Sequence, residues 1–386
     1  MTIELNALCK DIEIKFEKLG KDVPPGLFNG LLGQVVYNFS RYEKTKNISY
    51  YNKGLLLIED CTELINQGNF KDFSFASGLA GFGRVIQFYR SSKVLRKNEG
   101  EGLLKVFDNY LSLSLNFCIS NHNFDYLYGA IGIGFYFIER YPHSNEVKVE
   151  IFKLVEALSD SAIEVSPDKI KWESKIKDTF KGCNISTSHG MAGVLNFLCA
   201  SYIVIPDFSL SLSLIKKCVC FLLSQRIDKQ NSISYFPTYS LEIEKNPVPS
   251  RLSWCYGDLG ICFSLLKASH ILKDRSLSDL SYNILRKASM RRIKKETNVD
   301  DYSFCHGSSG NWYMFKKVYL LSGEKIFHDA ADFWERETEI YLEVDKDKAH
   351  SLIDPGLLEG LCGVGLVSLL EGGKSENILD ILFLLK

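Results

Sequence analysis

Apolar residues recur every three or four positions along most of this chain, which is the spacing of one face of an α-helix. The stripe that ends near residue 118 consists of Leu104, Phe107, Leu111, Leu115 and Cys118. A stripe that follows residue 190 consists of Met191, Val194, Leu195, Leu198 and Cys199. The same order of a helix, a short connection and a second helix recurs along the chain. It predicts an all-α fold.

A pair of glycines three residues apart precedes the second helix of each unit. The pairs begin at Gly30, Gly78, Gly129, Gly190, Gly257, Gly307 and Gly360. The intervals between them run from 48 to 67 residues, a period typical of a repeat architecture. Seven helical hairpins can stack as an open solenoid or close into a ring. Glycine costs up to ~1 kcal/mol inside a helix but lets backbones approach closely, so its recurrence favours a ring of seven inner and seven outer helices.

Two segments depart from the helical pattern. Residues 232–243 alternate and are rich in β-branched and aromatic side chains, which predicts a small β excursion near 230–245. Residues 165–182 contain Ser, Pro, Asp and Lys, and we expect a surface loop there.

The bulk composition narrows the class of protein. The glycine repeat extends over most of the 386 residues, so we expect a single domain over 1–386. The 46 basic and 47 acidic residues nearly cancel, which argues against binding of nucleic acid or an anionic membrane by an overall field. Neither a signal peptide nor a transmembrane run is evident, which predicts a cytoplasmic protein. The eleven cysteines are then expected as reduced thiols, mostly in the core.

Polar or hydrogen-bonding residues stand immediately before the first glycine of every pair. They are Asn29, Ser77, Tyr128, His189, Tyr256, His306 and Glu359. In repeats five and six a cysteine comes two residues before that glycine, which adds Cys255 and Cys305. Two thiolates and the imidazole of His306 on neighbouring loops suit Zn²⁺ with a fourth position open. From spacing alone, two core cysteines and a histidine that caps a helix are an equal alternative.

The WCYG at 254–257, the CHG at 305–307, the HG at 189–190 and the seven glycine pairs together resemble the lanthionine synthetase C-like family. The resemblance covers nearly the whole chain and is strongest to the stand-alone cyclases of class I lanthipeptide biosynthesis. It implies an α/α toroid that binds one zinc through Cys255, Cys305 and His306. These are the three residues that spacing also brings together.

The resemblance implies further site residues above the metal. The family has a histidine, an aspartate and a basic residue at positions that match His189, Asp125 and Arg251. Without the resemblance, a single Asp or Arg near a helix start is more often a helix cap or a surface charge. Tyr256 is either a hydrogen-bond donor at the site or part of its wall. The polar Ser308-Ser309 filling of the sixth pair departs from the usual small apolar residues but affects no ligand.

The activity implied by the resemblance is a Michael-type addition of precursor-peptide cysteine thiols to dehydroalanine or dehydrobutyrine, which forms lanthionine and methyllanthionine rings. The expected partners are a dehydrated precursor with a leader and a cysteine-containing core, the cognate dehydratase and the exporter. The alternative is a zinc protein of the same superfamily that binds glutathione or adds it to dehydrated peptides. A toroidal terpene cyclase or glycosidase finds no support, because no DDxxD motif is present.

Overall fold

The computed structural model describes residues 10, 12–14, 16, 23–67, 71–96, 98–177, 180–206, 208–227, 232–243, 246–347, 356–370 and 377–385. The contacts within the chain divide it into two compact units. The terminal unit comprises Met1–Glu101 and Val299–Leu385, and the central unit comprises Gly102–Asn298. The prediction of one domain over 1–386 stays a prediction.

Helices dominate the described residues of both units. In chain order the first eight are α1 Leu31–Thr45, α2 Ile48–Asn66, α3 Leu79–Ser91, α4 Glu101–Ser120, α5 Ala130–Arg140, α6 Lys148–Ser161, α7 Met191–Val204 and α8 Ser209–Ser224. The others are α9 Asp258–Leu272, α10 Arg275–Ala288, α11 Lys294–Thr297, α12 Ser308–Ser322, α13 Lys325–Asp347, α14 Leu361–Leu370 and α15 Ile378–Leu382. Two short 3₁₀ helices, Tyr141–His143 and Asn145–Val147, join α5 to α6.

Each predicted glycine pair marks the start of a buried helix. Within the described residues, α1, α3, α5, α7, α9, α12 and α14 begin directly after the first glycine of a pair. Nearly every residue in their first two turns is buried. The helix that follows each of the first six is amphipathic, with buried residues at the predicted three- and four-residue steps. The repeat of a buried and an amphipathic helix is therefore confirmed.

Close packing is the main reason for glycine at these positions. A Cβ on the second glycine of the fourth pair, Gly193, would lie 2.5 Å from the carbonyl oxygen of Thr187. The first glycines of most pairs have extended backbones that any residue adopts, but Gly257 has φ +86°. Left-handed geometry is thus required at only one of the helix starts whose caps are described.

In the terminal unit, the last repeat packs against the first. Helix α14 contacts both α12 and α1, and α1 in turn contacts α3. The backbone follows the same order, because the Leu357 amide donates a 2.8 Å hydrogen bond to the carbonyl of Phe28. In the central unit α7 lies between α5 and α9. Neighbouring repeats within each unit are therefore neighbours in space, and repeat seven continues into repeat one.

The β structure lies in a different segment from the one predicted. Four strands form two antiparallel pairs, β1 Ile163–Ser166 with β2 Lys169–Lys171 and β3 Ser174–Lys177 with β4 Phe180–Gly182. The predicted surface loop at 165–182 is therefore wrong. The predicted β excursion near 230–245 is also wrong, since 232–243 contains no strand.

A side chain explains why 232–243 forms no strand. The carboxylate of Asp258 accepts hydrogen bonds from the amides of Tyr235 and Phe236, at 3.0 and 2.9 Å. These amides would otherwise be donors for a β ladder. Asp258 is buried at the start of α9 beside Arg291, whose Nη1 lies 3.8 Å from its Oδ2. The Asp258 side chain thus holds the backbone of residues 235–236 at the start of α9. The alternation of residue types along the segment does not reveal this interaction.

The expected thiol chemistry agrees with the structure. The ten cysteines in the described part of the chain are free, and the four expected in the core are fully buried. They are Cys118, Cys199, Cys262 and Cys362. Burial raises the pKa of the Cys118 and Cys199 thiols to about 12, which keeps them protonated and unreactive. Among the described helices, none is long and apolar enough to cross a membrane.

Candidate metal centre and active site

The predicted site residues lie on segments that we call glycine loops, each the seven residues that end at the first glycine of a pair. Backbone hydrogen bonds join loops of consecutive repeats inside each unit. The Thr187 amide of the fourth loop donates to the carbonyl of Cys255 in the fifth, at 3.1 Å. In the terminal unit, the Cys305 amide donates to the carbonyl of Leu358 at 3.0 Å. Hydrogen bonds between the backbones of neighbouring loops thus support the segments that carry these side chains.

Cys255, Cys305 and His306 form a possible metal-binding group. Each residue offers one ligand atom, an Sγ atom from either cysteine and an imidazole nitrogen from His306. The cysteines are 7% and 8% exposed, and His306 is partly exposed. A donor set of two sulfurs and one nitrogen fits zinc with one open position.

His189 and Asp125 form a hydrogen-bonded pair in the central unit. The Nδ1 atom of His189 lies 2.7 Å from Oδ2 of Asp125, and Asp125 Oδ1 accepts the Tyr128 amide at 2.8 Å. The carboxylate is therefore fixed by its own glycine loop and accepts the Nδ1 proton of the imidazole. This arrangement leaves Nε2 as the nitrogen that can exchange a proton with a substrate.

The environment of His189 favours its protonated form. Burial lowers the pKa of His189, but the hydrogen bond and charge of Asp125, with a smaller effect of Cys255, outweigh it and raise the pKa above its usual value. The ring of Tyr128 lies parallel to the imidazole, with centroids 6.2 Å apart. Tyr256 lies on another side, with its ring centroid 6.3 Å away. Two aromatic rings therefore flank the pair.

Tyr256 is the residue directly after Cys255, and its hydroxyl is held in place. Asn184 Nδ2 donates to the Tyr256 Oη at 3.4 Å, and the ring of Tyr239 packs edge-on with centroids 5.9 Å apart. Burial raises the pKa of Tyr256, so the hydroxyl stays protonated and keeps its capacity to donate. Both interpretations of Tyr256, a donor and part of the wall, agree with this position.

Arg251 begins the fifth glycine loop, which also carries Cys255. It is half-buried, and its neighbours fix the backbone on both sides. The Leu252 amide donates to the carbonyl of Thr297 at 2.9 Å, while Nη2 of Arg291 donates to the carbonyl of Ser250 at 2.5 Å. Within the described residues, no hydrogen bond or ion pair engages the Arg251 guanidinium. The Arg251 backbone is therefore fixed, and no side chain among the described residues competes for its guanidinium.

A cavity of about 730 Å³ opens beside the His189 and Asp125 pair. Its lining includes Tyr128, Trp172 and Met191, and the β1–β2 hairpin contributes Ile163. The cavity has room for several side chains of a peptide. The β1–β2 hairpin is therefore part of the wall next to the candidate acid–base pair.

Comparison with known proteins identifies the family. The sequence model of the lanthionine synthetase C-like proteins matches residues 21–382, which is nearly the whole chain. This protein belongs to the lanthionine synthetase C-like family. The nisin biosynthesis protein NisC of Lactococcus lactis subsp. lactis is 24% identical over 314 residues, which are 76% of this chain and 72% of NisC.

Solved structures show the fold of this family member. The structure of a nisin cyclase superposes with a TM-score of 0.78 over 98% of this chain and 97% of the cyclase, at 21% identity. The predicted all-α toroid fold class is thereby confirmed. A cellobiose 2-epimerase from Bacillus thermoamylovorans aligns over 95% of the chain at 11% identity, but its TM-score of 0.44 is too low to support an argument.

Asp301 is a site residue that sequence reasoning missed. Its Oδ2 lies 3.4 Å from Nε2 of the candidate ligand His306. The available signal was the first position of the glycine loops, which is occupied by an Asp or Asn in several repeats. They are Asp72, Asn123, Asn184 and Asp301, and in each the side chain accepts an amide two residues on.

Proposed function

We propose that this protein is a zinc-dependent lanthipeptide cyclase. It would add cysteine thiols of a precursor peptide to dehydroalanine or dehydrobutyrine residues of the same peptide, forming lanthionine and methyllanthionine rings. The observation that carries the proposal is the group of Cys255, Cys305 and His306 in a family member. The likeness to NisC and to a nisin cyclase supports the same reaction.

Cys255, Cys305 and His306 would hold the zinc. Bound there, zinc would supply Lewis acidity that deprotonates a substrate thiol, whose pKa of ~8.5 otherwise keeps it mostly protonated at neutral pH. Two protein thiolates offset the metal's double positive charge, so a thiolate beside it keeps its nucleophilicity. The low exposure of both cysteines limits competition by water for these ligands.

His189 is the proposed proton carrier. The addition forms a bond between the substrate sulfur and the β-carbon, and the carbon–carbon double bond becomes single as the α-carbon gains a proton. Nδ1 of His189 is occupied by Asp125, so Nε2 would take the thiol proton and return one to the α-carbon. The raised pKa of His189 brings it closer to neutral pH, where a group both accepts and releases protons efficiently.

Arg251 and Tyr256 are proposed to stabilise charge. As the sulfur adds, negative charge develops on the amide oxygen of the dehydroamino acid. A guanidinium that has no competing partner among the described residues can donate to that oxygen, which suits Arg251. The neutral hydroxyl of Tyr256, beside His189, can donate a further hydrogen bond or shape the wall.

The substrate class follows from this reaction. We propose that the substrate is a dehydrated precursor peptide with a leader and a cysteine-containing core. A cognate dehydratase would produce it, this protein would act on it in the cytoplasm, and the cyclised peptide would pass to an exporter. The cavity beside His189 would receive residues that flank the reacting pair. Its lining combines apolar side chains such as Trp172 and Met191 with polar ones such as Glu173, so both apolar and polar flanking residues would find contacts there.

Mass spectrometry of a dehydrated precursor tests the proposal. The protein should convert alkylatable cysteine thiols into thioethers at unchanged peptide mass, and Cys255→Ser should abolish this together with zinc binding. Cys220→Ser, which changes a half-buried thiol on α8, is the matched control and should retain both. If peptide thiols persist and added glutathione is instead bound or joined to the dehydrated peptide, the protein is a thiol-binding relative rather than a cyclase.

A further inference from the structure

Asp301 makes two backbone hydrogen bonds that shape the sixth glycine loop. Its Oδ1 accepts the Ser303 amide at 2.7 Å, and its carbonyl accepts the Ser308 amide at 2.9 Å. These bonds place Asp301 at the first turn of α12, five residues before His306. The second carboxylate oxygen, Oδ2, takes no part in the turn.

That second oxygen faces the imidazole of His306. Oδ2 lies 3.4 Å from Nε2, and the Asp301 and His306 side chains are 40% and 26% exposed. An aspartate carboxyl, with an ordinary pKa of about 3.9, is charged at neutral pH.

The turn itself does not need this charge. In the fourth loop Asn184 makes the same bonds, from the amides of Ser186 and Met191 at 2.9 and 2.8 Å. Either an amide or a carboxylate oxygen can therefore build the turn. The second loop has an aspartate, Asp72, that makes the same turn without a histidine before its glycine.

We propose that Asp301 is a positioning residue that accepts the Nε2 proton of His306 and so presents Nδ1 to the metal. The proposal rests on the proposed zinc site. A histidine that ligates a metal commonly donates its other ring N–H to a carboxylate, which fixes the tautomer and the ring orientation and makes the ligand more basic. Asp301 meets these requirements, because its carboxylate is charged and its Oδ2 lies beside Nε2 of His306 without taking part in the turn.

Zinc affinity of matched variants tests the role. Asp301→Asn keeps an oxygen for the turn and removes the charge, whereas Asp72→Asn makes the same change in a loop without a ligand. By competition with a chromophoric chelator, Asp301→Asn should weaken zinc binding by about 10- to 100-fold, and Asp72→Asn should not. Equal affinities in the two variants would overturn the proposal.

The tautomer of His306 provides a second readout that needs no zinc. In metal-free wild-type protein, ¹⁵N-labelled histidine spectra in mildly alkaline buffer should show His306 protonated at Nε2, and Asp301→Asn should shift the population toward Nδ1–H. A wild-type His306 protonated at Nδ1 would overturn the inference even if zinc binds. Absence of zinc binding by the wild type, with His306 in the Nε2–H form, would instead count against the proposed function and leave the pairing supported.

Discussion

Nδ1 of His189 lies 2.7 Å from Oδ2 of Asp125, although the two residues are 64 positions apart in the chain. The Asp125 carboxylate is held from the other side by the Tyr128 amide. The pair therefore sets the tautomer of the imidazole and raises its pKa.

Asp125→Asn should lower the pKa of His189. Burial, which disfavours the imidazolium, would remain after the charge of Asp125 is removed. In the wild type, the folded state binds the His189 proton more tightly than the unfolded state does, which stabilises the fold. This contribution is complete at pH values below the unfolded pKa of ~6.5 and is lost as the pH rises through the folded pKa. An NMR titration of His189 measures the change. Asp332→Asn, beside the half-exposed His328 on α13, should leave the His189 titration unchanged.

His189→Ala should slow ring formation by about 10²- to 10⁴-fold, the usual contribution of a general acid–base group. Zinc binding should persist, since His189 is not among the three candidate ligands. Thiol alkylation with mass spectrometry gives the rate, and a metal assay gives the zinc content. His270→Ala, at an exposed position of α9, should behave as the wild type. Undiminished turnover by His189→Ala would exclude the assigned role.

Arg251→Ala should reduce kcat by roughly 10²- to 10³-fold, because the developing charge on the amide oxygen would lose its donor. Arg251→Lys should recover only part of the activity, since an ammonium lacks the planar fork of the guanidinium. Steady-state kinetics separate kcat from KM. The matched control is Arg226→Ala at an exposed position. A change confined to KM would point to peptide binding instead of charge stabilisation.

Gly257→Ala should destabilise the protein more than Gly323→Ala. Both glycines have positive φ, +86° and +72°, but a Cβ on Gly257 would lie 2.6 Å from the carbonyl oxygen of Arg251, whereas Gly323 faces open space. Gly323 has the left-handed conformation, with ψ 4°, in which a side chain costs roughly 1–2 kcal/mol. Gly257, with ψ −158°, lies in a region almost confined to glycine, where the backbone penalty is larger. The additional clash should appear in urea unfolding of Gly257→Ala, with weaker zinc binding because the same loop carries Cys255. Equal stabilities would contradict the packing argument.

Asp258→Ala should cost about 3–5 kcal/mol of unfolding free energy, because it leaves a buried charge on Arg291 and frees the amides of Tyr235 and Phe236. Denaturant unfolding measures the loss. Asp274→Ala removes the hydrogen bonds that the Asp274 carboxylate accepts from the Leu277 amide at the N-cap and from the exposed Ser276 hydroxyl, and it should cost about 1 kcal/mol. A similar loss in both variants would show that the buried pair adds little.

Features of the site differ in how far sequence reasoning could reach them. Cys255, Cys305 and His306 could be predicted, since each has a set offset from a glycine that recurs along the chain. Asp301 could not be predicted by offset from a glycine pair alone, because its residue type at that loop position serves a backbone turn in other repeats. Its second role depends on which residue the loop brings beside it.

The sequence by itself determined the all-α repeat, the start of each buried helix and the candidate metal ligands, because helix periodicity and glycine spacing act over a few residues. Tertiary structure decided what depends on distant partners. It brought Asp125 to His189, paired β1 with β2 and β3 with β4, and directed the amides of Tyr235 and Phe236 to Asp258 instead of a β ladder. Hydrogen bonds between residues far apart in the chain have no local pattern, so only the folded protein reveals them.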